Sequence, residues 1–134
     1  MGTIVVGYVP KPEGKAALKR AVEEAKLRGS RLVVVNSHRG GREFDRDDAI
    51  ESESQLTEVQ TVLNDAGVEH DVRQLVRGMD PAEDLVNVAA EVDAELIVIG
   101  LRRRSPVGKL ILGSNAQRVL LDAPCPVLAV KAGE

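Results

Sequence analysis

The chain has 134 residues, 43% of them hydrophobic and 29% charged, with a formal net charge of −3 and a pI near 5.5. That length fits one compact domain, and the slight negative balance offers neither the basic surface that a nucleic acid needs nor an attraction to an acidic membrane. Tyr8 and Phe44 are the only aromatics, so the core must be aliphatic and no stacking platform for single strands exists.

Cys125 is the one cysteine, which excludes an internal disulfide and fits a reducing compartment. The opening residues, MGTIVVGYVPKPEG, lack the basic region and long apolar core of a signal peptide, and Val6 removes the myristoylation pattern. No apolar run reaches the roughly 20 residues of a membrane span. The expected location is cytoplasmic.

Taken in order, Thr3 to Val9 is a continuous apolar run stopped by Pro10 and Pro12 and reads as a buried strand. From Glu13 to Arg28, Leu18, Ala21, Val22 and Ala25 fall at helical spacing, and Gly29 marks the stop. Leu32 to Val35 is a second buried strand. It leaves through Asn36-Ser37-His38 into RGGREFDRDD, whose charge and glycines predict a mobile surface loop. A helix opening at Asp47 or Asp48 places Leu56, Val59, Leu63 and Ala66 on one face. Val68 to Val76 mixes Val68, Val72 and Val76 with Glu69, His70, Asp71, Arg73 and Gln74, the pattern of an edge strand.

Asp80-Pro81-Ala82-Glu83 predicts a helix start with Asp80 as N-cap, proline at N1 and Glu83 closing a capping box. Leu85, Val88, Ala89 and Val92 supply its apolar face. Leu96-Ile97-Val98-Ile99 is apolar on both faces, as a central parallel strand requires, and Gly100 ends it. A basic loop carrying Arg102, Arg103, Arg104 and Lys109 follows. Gly113-Ser114-Asn115-Ala116-Gln117 then predicts a helix from Asn115 to about Leu121, capped by Ser114 and Gln117. A final strand runs from Pro126 to Val130.

Five strands and four helices in strict alternation imply an α/β fold: an open parallel sheet with helices on both faces. Ligands of such sheets bind at the carboxyl ends of the strands where the strand order reverses. The ends of the first and fourth strands belong there, beside a helix N-terminus and four cations, so an anion site is expected.

This loop is not a P-loop, because Leu110 follows Lys109 where a magnesium-binding Ser or Thr is needed, and G-x-G-x-x-G is absent. Cys125, between two prolines, reads as a structural thiol rather than a nucleophile. His38 reads as a loop residue and His70 as part of a polar strand face. Two histidines and one cysteine without clustered spacing give a metal site no support.

The chain resembles a single-domain universal stress protein over essentially its full length. The resemblance rests on the opening strand with its AALKRAVEEA helix, VRGMDPAEDLVNVA, the IVIG strand and the distinctive LILGSNAQRVLLDAPCPVLAV. It implies the strand order 3-2-1-4-5 of a Rossmann-like, adenine nucleotide alpha hydrolase-like fold. It also implies a stress-response sensor or regulator that binds an adenine nucleotide, ATP foremost; no general base is evident beside the loop, so an enzyme is not expected. Matched position by position, adenine would lie near Gly7, Val9 and Ser37, and the phosphates near Gly100, Arg103, Gly113, Ser114 and Asn115. Two positions depart from the family pattern: Arg103 replaces the middle glycine of the phosphate loop, and Val9 stands where an aspartate is usual. The resemblance further implies a homodimer joined through the last strand, Val127 to Lys131. The alternative is an interaction module of the same fold whose pocket Val9 and Arg103 have altered.

Overall fold

The computed structural model describes residues 2–9, 11–38, 46–76, 80–101 and 114–132. Residues 39–45, the expected loop, and 102–113, the basic segment with Arg103, Lys109 and Gly113, lie outside the described residues. The described elements alternate as the hydrophobic pattern requires: β1 Thr3–Gly7, α1 Pro12–Arg28, β2 Arg31–His38, α2 Arg46–Ala66, β3 His70–Val76, α3 Pro81–Glu91, β4 Leu96–Leu101, α4 Ser114–Asp122 and β5 Val127–Lys131.

All five strands are parallel, in the order β3-β2-β1-β4-β5. The chain winds outward from β1 through β2 to β3, then crosses back to β4 and β5. The strand order therefore reverses between β1 and β4. Their registers, Ile4 with Leu96 and Val6 with Val98, put the ends of the two strands side by side.

Alternation along the strands divides the interior into two aliphatic layers. Ile4, Val6, Leu32, Val34 and Val98 pack under α1 and α2 with Leu18, Val22, Val59 and Leu63. Val5, Val33, Val35, Ile97 and Ile99 pack under α3 and α4 with Leu85, Val88 and Val119. Burial on both faces is why β1, β2 and β4 read as continuous apolar runs. Gly29 closes α1 as expected: in the left-handed conformation (φ 64°), its N–H donates to the Ala25 carbonyl.

The boundaries differ from the sequence expectation in places. β1 stops at Gly7 rather than Val9, although the Tyr8 N–H still donates to Val35 at 2.9 Å. β2 is longer than Leu32–Val35 because backbone pairing with Gln74, Leu75 and Val76 carries it through Asn36, Ser37 and His38. β3 lies at an edge, as its mixed polarity indicates, and begins at His70 rather than Val68. α2 opens at Arg46, and α4 includes Ser114 as its first residue rather than starting after it; shifts of this size are usual at helix ends.

The capping box at α3 does not form as expected. Asp80 is extended (φ −63°, ψ 140°) ahead of Pro81 but makes no side-chain cap hydrogen bond. Its carboxylate instead accepts from Arg118 Nη1 at 2.8 Å, and Glu83 accepts from Nη2 of the same guanidinium. The planar guanidinium fork presents separate N–H donors to the two carboxylates at once. The carboxylates also remain at the helix N-terminus, where the dipole favours them.

Candidate functional site

The adjoining ends of β1 and β4 open into a cavity of about 160 Å³. Gly7, Tyr8 and Val9 form its floor on the β1 side, and Ile99 and Gly100 form it on the β4 side. Val35, Leu85 and Val119 give it an aliphatic wall, while Pro81 and Ala82 of α3 and Asn115 and Ala116 of α4 bring two helix N-termini to its rim. Ligand pockets usually measure roughly 300–1,000 Å³. The cavity bounded by the described residues falls below that range.

Two glycines allow the first turn of α1 to approach this junction. A Cβ on Gly14 would run into the backbone of Val9, and a Cβ on Gly100 would run into the Glu13 carbonyl, both far inside van der Waals contact. Gly100 thus has a packing reason for being glycine, separate from any need to approach a phosphate. Gly7 is less constrained, since a Cβ there would lie 3.1 Å from Leu85 Cδ2.

Of the residues singled out from sequence, Gly7, Val9, Gly100 and Asn115 line the cavity together. Ser37 lies in the last part of β2 and Ser114 opens α4, but their side chains are outside the described residues. Arg103 and Gly113 lie wholly outside them. Val9 is 40% exposed and brings no polar side-chain atom to the cavity.

The sequence reading missed Glu13 and Gly14 of α1, together with Pro81, Ala82 and Leu85 of α3. One signal was available: a glycine one position inside a predicted helix is costly and often marks close backbone approach. Glu13 is half-buried and is the only charged side chain among the described lining residues.

Tyr8 is 4% exposed and borders both this cavity and a second hollow, of about 370 Å³, between α1 and α2. Burial, reinforced by Glu58, pushes its hydroxyl pKa up, so it stays neutral. Cys125 is half-buried ahead of β5, and burial raises its pKa too, which keeps the thiol protonated and agrees with a structural role. His70 lies on edge strand β3 with Nδ1 2.7 Å from the Val68 carbonyl. Among the described residues, no three His, Cys, Asp or Glu side chains could hold a metal ion together.

The model of the universal stress protein family matches residues 1–131. The chain belongs to the universal stress protein family. It is 48% identical over 128 residues to a universal stress protein of Mycolicibacterium smegmatis, covering 96% of both chains. Among solved structures it is similar to a universal stress protein from Archaeoglobus fulgidus, with a TM-score of 0.86, 42% identity and coverage of 98% of this chain and 99% of that one. The structure of the universal stress protein from A. fulgidus in complex with dAMP matches with a TM-score of 0.80 and 36% identity, covering 98% of each chain. The five-stranded parallel sheet of order 3-2-1-4-5 is therefore shared with solved universal stress proteins.

Proposed function

We propose that this universal stress protein is a cytoplasmic stress-response sensor or regulator that binds an adenine nucleotide, ATP foremost, at the ends of β1 and β4. The observation that carries this reading is the cavity at the reversal of strand order, with aliphatic walls for a base and the N-terminus of α4 at its rim for an anion. The A. fulgidus relative in complex with dAMP supports it from outside the chain. Gly7, Val9 and Ser37 would lie near the base, with Gly100, Arg103, Gly113, Ser114 and Asn115 near the phosphates. The described lining holds no histidine, lysine or second carboxylate to work with Glu13, so the reading is a binding protein rather than an enzyme.

The same reading includes a homodimer through Val127 to Lys131. Both outer strands of the sheet are edges, but they differ in side-chain chemistry. On β3, Arg73 bonds Asp71 at 3.2 Å and reaches Glu91 of α3 at 3.0 Å, and such charges deter strand addition. On β5, four apolar residues precede Lys131, so an unpaired edge there would invite aggregation.

Native mass spectrometry of protein purified without added ligand, followed by calorimetry with ATP, ADP, AMP and cyclic AMP, tests nucleotide binding. An adenylate mass on the protein and a Kd below millimolar are expected for at least one of them. Binding of none would leave the interaction module, with the dimer surface as its working part.

A further inference from the structure

Within the cavity at the ends of β1 and β4, one side chain among the described lining residues carries a charge. Glu13 stands at the second position of α1, half-buried, and is the only charged group among the described lining residues. Its backbone carbonyl rests against Gly100, and its Cβ is 3.1 Å from where a Gly100 Cβ would stand. The stem of the side chain is thereby fixed at the junction of the two strands. Glu13 borders the cavity, and among the described residues its carboxylate makes no ion pair and no side-chain hydrogen bond, so its acceptor capacity is unused there.

We infer that Glu13 is the ribose-recognising group of this cavity, accepting hydrogen bonds from the vicinal 2′ and 3′ hydroxyls of a bound adenine nucleotide and making the chain prefer ribonucleotides to deoxyribonucleotides. This rests on the nucleotide reading above. An ionised carboxylate only accepts hydrogen bonds, so it repels phosphate oxygens and ring nitrogens and selects groups that donate. A nucleotide has two kinds of donor, the exocyclic amine and the sugar hydroxyls. The amine belongs to the base, which fits the aliphatic wall of Val35, Leu85 and Val119 on the α3 side of the sheet, whereas Glu13 arrives with α1 from the opposite face. That leaves the vicinal diol, whose two O–H groups match two carboxylate oxygens. Val9, two residues beyond β1, offers no competing acceptor on its side chain.

A glutamate in the first turn also stabilises a helix through its dipole with no ligand present. Selectivity for the sugar separates the two roles, since a dipole contribution does not depend on which nucleotide is bound. Calorimetry should compare AMP with its 2′-deoxy and 2′,3′-dideoxy forms on the wild-type protein, Glu13→Ala and the isosteric Glu13→Gln, with thermal denaturation confirming that each variant is folded. In the wild type, affinity should fall about tenfold or more from AMP to the dideoxy form, as expected for losing hydrogen bonds to a charged group. In Glu13→Ala the three affinities should converge, and Glu13→Gln should fall between.

If either folded variant keeps the wild-type ratio between the three ligands, or if the wild type does not discriminate, the assignment of Glu13 is overturned. If the wild type binds none of the three, the nucleotide reading fails and takes this inference with it. The first pair of outcomes leaves that reading standing, so the two failures are distinct.

Discussion

Gly14 is the position where local propensity and packing disagree most sharply. Replacing an interior helix glycine by alanine ordinarily stabilises by about 0.5–1 kcal/mol. Here the added Cβ would meet the Val9 backbone, which cannot rotate away as a flexible side chain would. Overpacking of this kind costs roughly 1–3 kcal/mol. The clash therefore outweighs propensity, and Gly14→Ala should lower the denaturation midpoint in a urea titration rather than raise it. Cys125 allows a second test at this scale. Because burial raises its pKa, the thiolate fraction at neutral pH is smaller than for a free cysteine. Alkylation by iodoacetamide should be slower than for a small-molecule thiol at pH 7 and should accelerate as pH rises through and beyond the usual thiol range. A rate at pH 7 matching the free thiol would contradict the burial argument.

Between elements, the start of α3 meets the second half of α4, and Arg118 holds that contact. Its guanidinium serves Asp80 and Glu83 of α3 and approaches Asp122 of its own helix at 3.8 Å. One cation among three carboxylates looks strong, but its side chain is 42% exposed and its partners 36–58%. Solvent screening at that exposure limits such pairs to about 0–1 kcal/mol. Arg118→Ala should thus cost no more than about 1 kcal/mol at low ionic strength, and the difference from wild type in denaturation midpoint should shrink as salt is added. A larger, salt-independent loss would mean that the arginine stem, not its charge, carries the contact.

For the molecule as a whole, the proposed dimer turns on which backbone groups of β5 face outward. The Ile97 N–H donates to Pro126 and the Ala132 N–H donates to Leu101, which aims the even-numbered amides of β5 at β4. The Ala129 amide therefore points away from the sheet. Proline at 129 removes an outward donor without breaking the β4 ladder, so Ala129→Pro should convert a dimer to a monomer in light scattering while leaving the far-UV circular dichroism unchanged. A variant that remains dimeric would move the interface away from this strand.

The three central strands were legible in the residues because burial on both faces writes itself as uninterrupted apolar runs, Ile4–Val6, Leu32–Val35 and Leu96–Ile99, separated by helical spacing in α1 and α3, whereas the strand order came from the family resemblance. The polar mixture of β3 likewise announced an edge. The rule for parallel sheets pointed to the ends of the first and fourth strands, and the family resemblance, not the periodicity, named Gly7, Val9, Gly100 and Asn115, which line one cavity there. Tertiary structure alone decided the rest. Glu13 and Gly14 read as an ordinary helix start, and only the approach of α1 to the β1–β4 junction makes one a cavity carboxylate and the other a required glycine. Asp80 and Glu83 spelled a capping box, but Arg118, 38 and 35 residues farther along the chain, claims both carboxylates. Periodicity and caps depend on neighbours in sequence, which a single chain of letters records. Which side chain meets which across the sheet depends on distances that close only when the elements have packed.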